Sequence, residues 1–166
     1  PNNVWVVTNE RYLSLVEEQL PEVPHSNILC EPCRRNTAPC IAYVSWRIKA
    51  IDPKANIVVT PSDHLVTNPV EFRRIVVQCL KFTNESDSIV TLGIKPTRAE
   101  TGYGYIQADL SSNSARNKGI FRVYSFHEKP DLEKAKEYVK DKSYLWNAGI
   151  FIWRLSTIIN AFRVYQ

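Results

Sequence analysis

The chain has 166 residues, of which 44% are hydrophobic, enough for a single core and too many for a disordered segment. Its 21 basic and 17 acidic side chains leave a net charge of +4 without any basic tract, which argues against a nucleic-acid or membrane-surface partner. No apolar stretch approaches the roughly 18 residues that span a bilayer, and no basic segment followed by an apolar core opens the sequence, so a cytoplasmic location is expected.

The sequence opens at Pro1 and enters at once a strand-like run over residues 4–8, which reads as a cut and not as a natural start. Helical spacing of Tyr12, Leu15, Val16 and Leu20 predicts a helix over residues 11–19, stopped by Pro21. A short strand over 28–30 then leads through a loop to a helix over 37–51. Ile41, Val44, Ile48 and Ile51 form its apolar stripe, with Asn36 or Thr37 as cap. The run 57–60 is mostly β-branched and lacks polar alternation, as in a strand covered on both faces. A helix over 69–82 follows, with Asn68 as cap and Pro69 at its first position. Strands are expected over 88–92, 105–108, 120–126 and 149–153, and helices over 131–139 and 155–162. Residues 111–118 are polar and read as an exposed connector. Strand-length runs alternating with helical periodicity predict an α/β chain with a mainly parallel sheet. With no internal repeat or linker, residues 1–166 read as one domain.

Four cysteines, at 30, 33, 40 and 79, include a Cys-x-x-Cys pair. Zinc would want a second close pair or a nearby histidine, and a redox pair should open a helix, which Pro32 opposes. Buried free thiols are the expectation. His25, His64 and His127 suggest neither a catalytic triad nor a metal cluster, and only His64 lies near a candidate site, in a supporting hydrogen-bond role.

Five segments could carry chemistry. Pro61-Ser62-Asp63-His64 follows the run 57–60, and ligands of open parallel sheets bind outside the carboxyl ends of the strands. Asp63 could there hold a divalent cation against phosphate oxygens, although a turn and helix cap explains the same residues. Glu31-Pro32-Cys33-Arg34-Arg35-Asn36-Thr37-Ala38-Pro39 joins strand 28–30 to a helix start on the same expected sheet edge. Unpaired helix N–H groups and two arginines there suit an anionic nucleotide, or are merely a capped loop with solvated charges. Thr101-Gly102-Tyr103-Gly104-Tyr105 places two glycines before a strand, for close approach of a ligand or for a tight turn. In Phe126-His127-Glu128-Lys129-Pro130, strand alternation would keep Glu128 and Lys129 from pairing. Glu128 could accept sugar hydroxyl hydrogens while Lys129 meets a phosphate, or both could be surface charges. Finally, in Leu145-Trp146-Asn147-Ala148-Gly149, Asn147 could read a hydroxyl while Ala148 and Gly149 leave room for a ligand, or the segment is a turn into a buried strand.

The order EPCRRNTAP, PSDH, TGYGY, FHEKP, WNAGIF, running from about residue 4 to the end, resembles the mannose-1-phosphate guanylyltransferases (GDP-mannose pyrophosphorylases) among the sugar-nucleotide pyrophosphorylases. The resemblance implies a Rossmann-like, mainly parallel mixed sheet flanked by helices, of the nucleotide-diphospho-sugar transferase type. It implies Mg²⁺-dependent transfer of GMP from GTP to mannose 1-phosphate, giving GDP-mannose and pyrophosphate. By position, Asp63 would be the metal ligand and Lys129 the sugar-phosphate partner, the two forming the catalytic set. Glu31, Pro32, Arg35, Asn36, Thr37 and Ala38, with Pro61 and Ser62, would bind the nucleotide. Gly102, Tyr103, Gly104 and Glu128 would line the sugar phosphate, and Asn147, Ala148 and Gly149 would close its pocket. A homo-oligomer is compatible with this reading.

The family pattern also opens with a strand and a Gly-rich loop of the type GGxGxRLWPLSR, and carries a second metal-binding aspartate downstream; neither has a counterpart here. On the resemblance, the 166 residues are expected to be a domain truncated at both ends, part of a longer enzyme and inactive alone. A pyrophosphorylase for another sugar 1-phosphate, such as glucose 1-phosphate, is the nearest alternative. A non-catalytic domain that senses nucleotide sugars or contacts another subunit is a further one.

Overall fold

The computed structural model describes residues 1–32, 36–112 and 119–165. The chain forms two compact units, Pro1–Ala55 with Leu155–Gln166, and Asn56–Arg154.

In the first unit, strands β1 (Val6–Thr8) and β2 (Ile28–Cys30) pair in parallel, Val6 facing Ile28 and Thr8 facing Cys30. The Glu31 N–H donates to Thr8 O at 2.9 Å, carrying the ladder one residue further. Buried Asn27 donates through Nδ2 to Asn2 O and Val4 O, tying the chain's start to β2. The first predicted helix divides into a 3-10 turn, Glu10–Tyr12, and helix α1 (Leu13–Gln19), because Asn9 Oδ1 accepts from Arg11 N and tightens the beginning. Helix α2 (Thr37–Lys49) buries Ile41, Val44 and Ser45. It packs against the last helix (Leu155–Tyr165), which buries Leu155, Ile158 and Ile159.

The second unit is built on a five-stranded sheet. Its strands are β3 (Asn56–Val59), β4 (Val90–Ile94), β5 (Tyr105–Asp109), β6 (Arg122–His127) and the 11-residue β7 (Tyr144–Arg154). β7 takes β3, β4 and β5 as antiparallel partners, and β5 takes β6 likewise. Phe151 and Ile152 pair with both β3 and β4, and Trp146 with both β4 and β5. Thus β4 holds one edge of β7 while β3 and β5 share the other.

Helix α3 (Pro69–Glu85) starts as its sequence dictates, with Pro69 in the first turn and Asn68 Oδ1 accepting from Glu71 N at 3.1 Å. It is pinned to β3 where Asn56 donates to Leu80 O at 2.9 Å and the buried Thr83 hydroxyl donates to Asn56 Oδ1. Helix α4 (Leu132–Lys140) is capped by Asp131, which accepts from Lys134 N. Its fully buried Ala135 packs against Tyr105 and Trp146, with Tyr138 and Tyr144 stacked beside them at 4.1 Å.

The α/β class with a mixed sheet and flanking helices stands, as do all seven strands and five helices. The balance of pairings does not: among the described residues one pair is parallel and four are antiparallel. The reason is β7, whose length lets it serve three strands in the reverse direction. The shared edge expected for the strands before Glu31 and Asp63 is also corrected. Among the described residues β2 pairs only with β1, and β3 only with β7, in separate sheets.

Candidate functional site

Four of the five motifs fall in the second unit's fold, and the sheet brings three of them into contact with one another. Gly104 is the hub. Its carbonyl accepts from Asn147 N at 2.8 Å, and a Cβ placed on it would lie 3.0 Å from Glu128 Oε2 and 3.1 Å from the Phe126 ring. Gly104 is also buried. A Cβ here would be crowded, so glycine eases the approach at the point where TGYGY, FHEKP and WNAGIF meet.

PSDH joins them through Gly149. At Gly149 the backbone has φ +69, the left-handed region that favours glycine, and an added Cβ would stand 3.3 Å from Pro61 Cγ. The kink has a topological cause. Between Thr91 and Gly93 of β4 lies one residue, whereas three lie between their partners Phe151 and Asn147 on β7. The excess bulges β7 at 148–150. Inside the bulge Asn147 Oδ1 accepts from Gly149 N at 3.1 Å and from the Thr91 hydroxyl at 2.8 Å. Ala148 is buried, so its small side chain serves the packing of the bulge.

Ser62 and Asp63 form an exposed turn directly after β3. Asp63 stands alone: among the described residues no group of three or more His, Cys, Asp or Glu side chains is placed to hold an ion. A hard divalent cation tolerates a single protein carboxylate when phosphate oxygens and waters complete its shell, and an exposed Asp63 fits that kind of site.

Glu128 and Lys129 correct an expectation. They do pair, Lys129 Nζ lying 3.6 Å from Glu128 Oε1. The alternation rule fails because β6 ends at His127 and Lys129 adopts φ +43, which turns the chain out of the pleat.

Sequence reasoning missed the residues that hold the Gly-Tyr-Gly turn. Glu100 accepts from Gly102 N at 3.0 Å and from the Arg98 guanidinium at 3.0 Å, and these bonds, Gly102 first, hold its carboxyl below the usual glutamate range. The Glu100 N–H donates to the Tyr105 hydroxyl. Arg98 lies over the Trp146 ring at 5.5 Å, and Tyr103 meets the same ring edge-on at 5.3 Å. A carboxylate two residues before the first glycine was the only sequence signal. Thr91, in the middle of a strand, gave none.

The nucleotide-side residues belong to the first unit. Glu31 and Pro32 follow β2, Asn36 is the residue before α2 with φ +68, and Thr37 and Ala38 are exposed in the helix's first turn. Arg35, like Cys33 and Arg34, lies outside the described residues. Burial, and then the Glu31 charge, raise the Cys40 thiol. Cys30, Cys40 and Cys79 are free thiols, and only Cys79 is fully buried.

The α/β scaffold thus places a carboxylate turn after β3, a Gly-rich turn before β5 and an acid–base pair after β6. The sequence matches the nucleotidyl transferase family over residues 1–163, and the chain belongs to that family. It is 37% identical over 163 residues to a mannose-1-phosphate guanylyltransferase of Salmonella montevideo, covering 96% of this chain and 34% of that protein. A protein of the same name from Escherichia coli K12 is 35% identical, covering 97% of this chain and 34% of the relative. The chain thus spans about a third of the length of the curated relatives it matches. Among solved structures, a Thermus thermophilus protein described as a mannose-1-phosphate geranyltransferase superposes with TM-score 0.82 at 27% identity, covering 95% of this chain and 44% of that one. A Helicobacter pylori protein described as a mannose-6-phosphate isomerase superposes with TM-score 0.81 at 24% identity over 97% of this chain and 59% of its own, a likeness of fold. Members of the family generally act with a divalent metal. Among the described residues no helix is long and apolar enough to cross a membrane.

Proposed function

We propose that this chain forms part of a mannose-1-phosphate guanylyltransferase, in which a phosphate oxygen of mannose 1-phosphate attacks the α-phosphorus of GTP. The bond from that phosphorus to the oxygen bridging to the β-phosphate breaks, releasing pyrophosphate and leaving GDP-mannose. The observation that carries the reading is the convergence on Gly104, whose carbonyl accepts from Asn147 N and whose missing Cβ would stand 3.0 Å from Glu128 Oε2. The relatives bearing that name supply the substrate identities.

Glu128 accepts hydrogens from the sugar hydroxyls, and Lys129 meets the phosphate with its charge oriented by Glu128 at 3.6 Å. Glu31 and the Asn36, Thr37 and Ala38 segment, with Arg35, take the guanine nucleotide, whose phosphate charge suits the free N–H groups of a helix start. Pro61 and Ser62 shape the turn that presents Asp63. Asp63 would hold Mg²⁺ together with phosphate oxygens, and the ion when bound neutralises phosphate charge. Reaction in such a site depends on positioning and charge neutralisation.

The test is pyrophosphate release from GTP and mannose 1-phosphate with Mg²⁺, using the full-length protein. Asp63→Asn should lower kcat/KM by roughly 10²-fold or more, the scale of losing one preorganised charge-stabilising group. Its thermal unfolding should stay at the wild-type midpoint, because Asp63 is exposed. Competition among GTP, UTP and dTTP fixes the base. An Asp63→Asn enzyme of wild-type rate would sink the assignment of the metal site.

A further inference from the structure

We infer that Thr91 is a positioning residue for the sugar-phosphate site, locking the Asn147 amide so that it offers its ligand a hydrogen-bond donor and no acceptor. The inference rests on the reaction proposed above. An asparagine amide has two ends of nearly equal shape, and its orientation follows from its partners. The backbone N–H of Gly149 lies 3.1 Å from one end. A backbone N–H can only donate, so that end is the oxygen; the flipped amide would set two donors against each other.

The Thr91 hydroxyl lies 2.8 Å from the same Oδ1 and has one other acceptor in reach, Ile150 O at 3.1 Å. With the hydroxyl's one proton on Oδ1, the nearer of its two acceptors, and the Gly149 N–H beside it, both lone pairs of Oδ1 are occupied. What remains is the Nδ2 group, with two N–H bonds and no hydrogen-bond partner among the described residues. Gly149 can turn its N–H inward because its φ is +69, within the bulge of β7.

Recognition therefore has a polarity. Asn147 can donate to a hydroxyl or phosphate oxygen but cannot take a hydroxyl hydrogen, whereas the Glu128 carboxylate does the reverse. Both groups gather at one backbone position: Asn147 N donates to Gly104 O, and Glu128 Oε2 lies 3.0 Å from where a Cβ on Gly104 would stand. A hexose 1-phosphate seated there meets a donor on one side and an acceptor on the other. Thr91 touches no ligand in this arrangement and acts only through Asn147.

Thr91→Val removes the hydroxyl at constant shape, and Thr91→Ser keeps it. In the full-length protein, Thr91→Val should raise the KM for mannose 1-phosphate roughly five- to tenfold, the scale of one lost hydrogen bond, with the KM for GTP unchanged. Thr91→Ser should stay within about twofold of wild type on the same scale. Asn147→Asp keeps an acceptor at Oδ1 and replaces the donor by oxygen, so it should raise that KM further than Thr91→Val. Unfolding midpoints are measured for all three, and Thr91→Ser with Asn147→Asp carry the test if the valine variant does not fold. The inference is overturned if serine does as badly as valine, since the methyl group is then the working part, or if Asn147→Asp binds mannose 1-phosphate as wild type does. A wild-type protein that takes up no mannose 1-phosphate overturns the proposed reaction and this inference with it. An active wild type with an indistinguishable Thr91→Val overturns the inference alone.

Discussion

Replacing Gly149 by alanine tests the bulge that carries Asn147. The left-handed backbone, φ +69, costs an L-residue about 1–2 kcal/mol. The new methyl group would meet Pro61 Cγ at 3.3 Å, inside the ~3.5–4.0 Å optimum for carbon atoms, which adds a few tenths of a kcal/mol. Relief is hard to find, because the strand leading to Pro61 is paired with β7, Val59 facing Phe151. At about 2–4 °C per kcal/mol for a chain of 166 residues, the unfolding midpoint should fall by roughly 3–8 °C. Gly119→Ala is the control, since Gly119 has φ +84 and a Cβ there meets nothing within 4 Å. The control should lose only the backbone part and keep wild-type kinetics. Gly149→Ala should lose more and raise the KM for mannose 1-phosphate several-fold by displacing the Asn147 bracket. Scanning calorimetry and steady-state kinetics read the two effects separately. Equal destabilisation of both variants, with an unchanged KM in each, would refute the reasoning.

Two further outcomes follow from packing and charge. Gly93→Ala drives a Cβ to 2.6 Å from Leu145 Cδ1 and 3.0 Å from its Cβ, and such overpacking should destabilise by about 1–3 kcal/mol in urea unfolding. Leu145→Ala made on top should recover part of that loss, and strictly additive losses would show that the two side chains do not compete. Glu100 bears on pH: hydrogen bonds from Gly102 and Arg98 lower its folded pKa below the unfolded one. Its stabilisation is therefore whole above the ordinary glutamate range and is lost as pH falls through the lowered folded value. Tryptophan fluorescence should report the loosening around Trp146 in that acid window, and Glu100→Gln should flatten the profile; a profile identical in wild type and variant would exclude Glu100 as its source.

What was legible in the sequence was local. The β-branched run at 57–60 and the Asn68-Pro69 helix start each dictate their own element, and both stand where expected. Strand partners are not local, and nothing within YLWNAGIFIWR announces that it will serve three strands in the reverse direction. The site divides along the same line. Asp63 is proposed on a local signal, the end of a strand, whereas Thr91 and Glu100 act through hydrogen bonds that only the folded register creates.

Lys129 shows why a local rule fails where the backbone leaves the strand. Alternation keeps neighbours on opposite faces only while the backbone stays extended, and Lys129, at φ +43 and directly before Pro130, has left that region. A lysine held there bears strain of about 1–2 kcal/mol that glycine or asparagine would largely escape. Strain of this kind persists where the surroundings over-determine the backbone, and it gathers at ligand sites. Here it turns a cation back onto Glu128 beside Gly104, a placement that an extended chain could not give. On the reaction proposed above, a residue that is poor for the backbone is apt for a phosphate, which is the balance expected if the ligand rather than the fold set it.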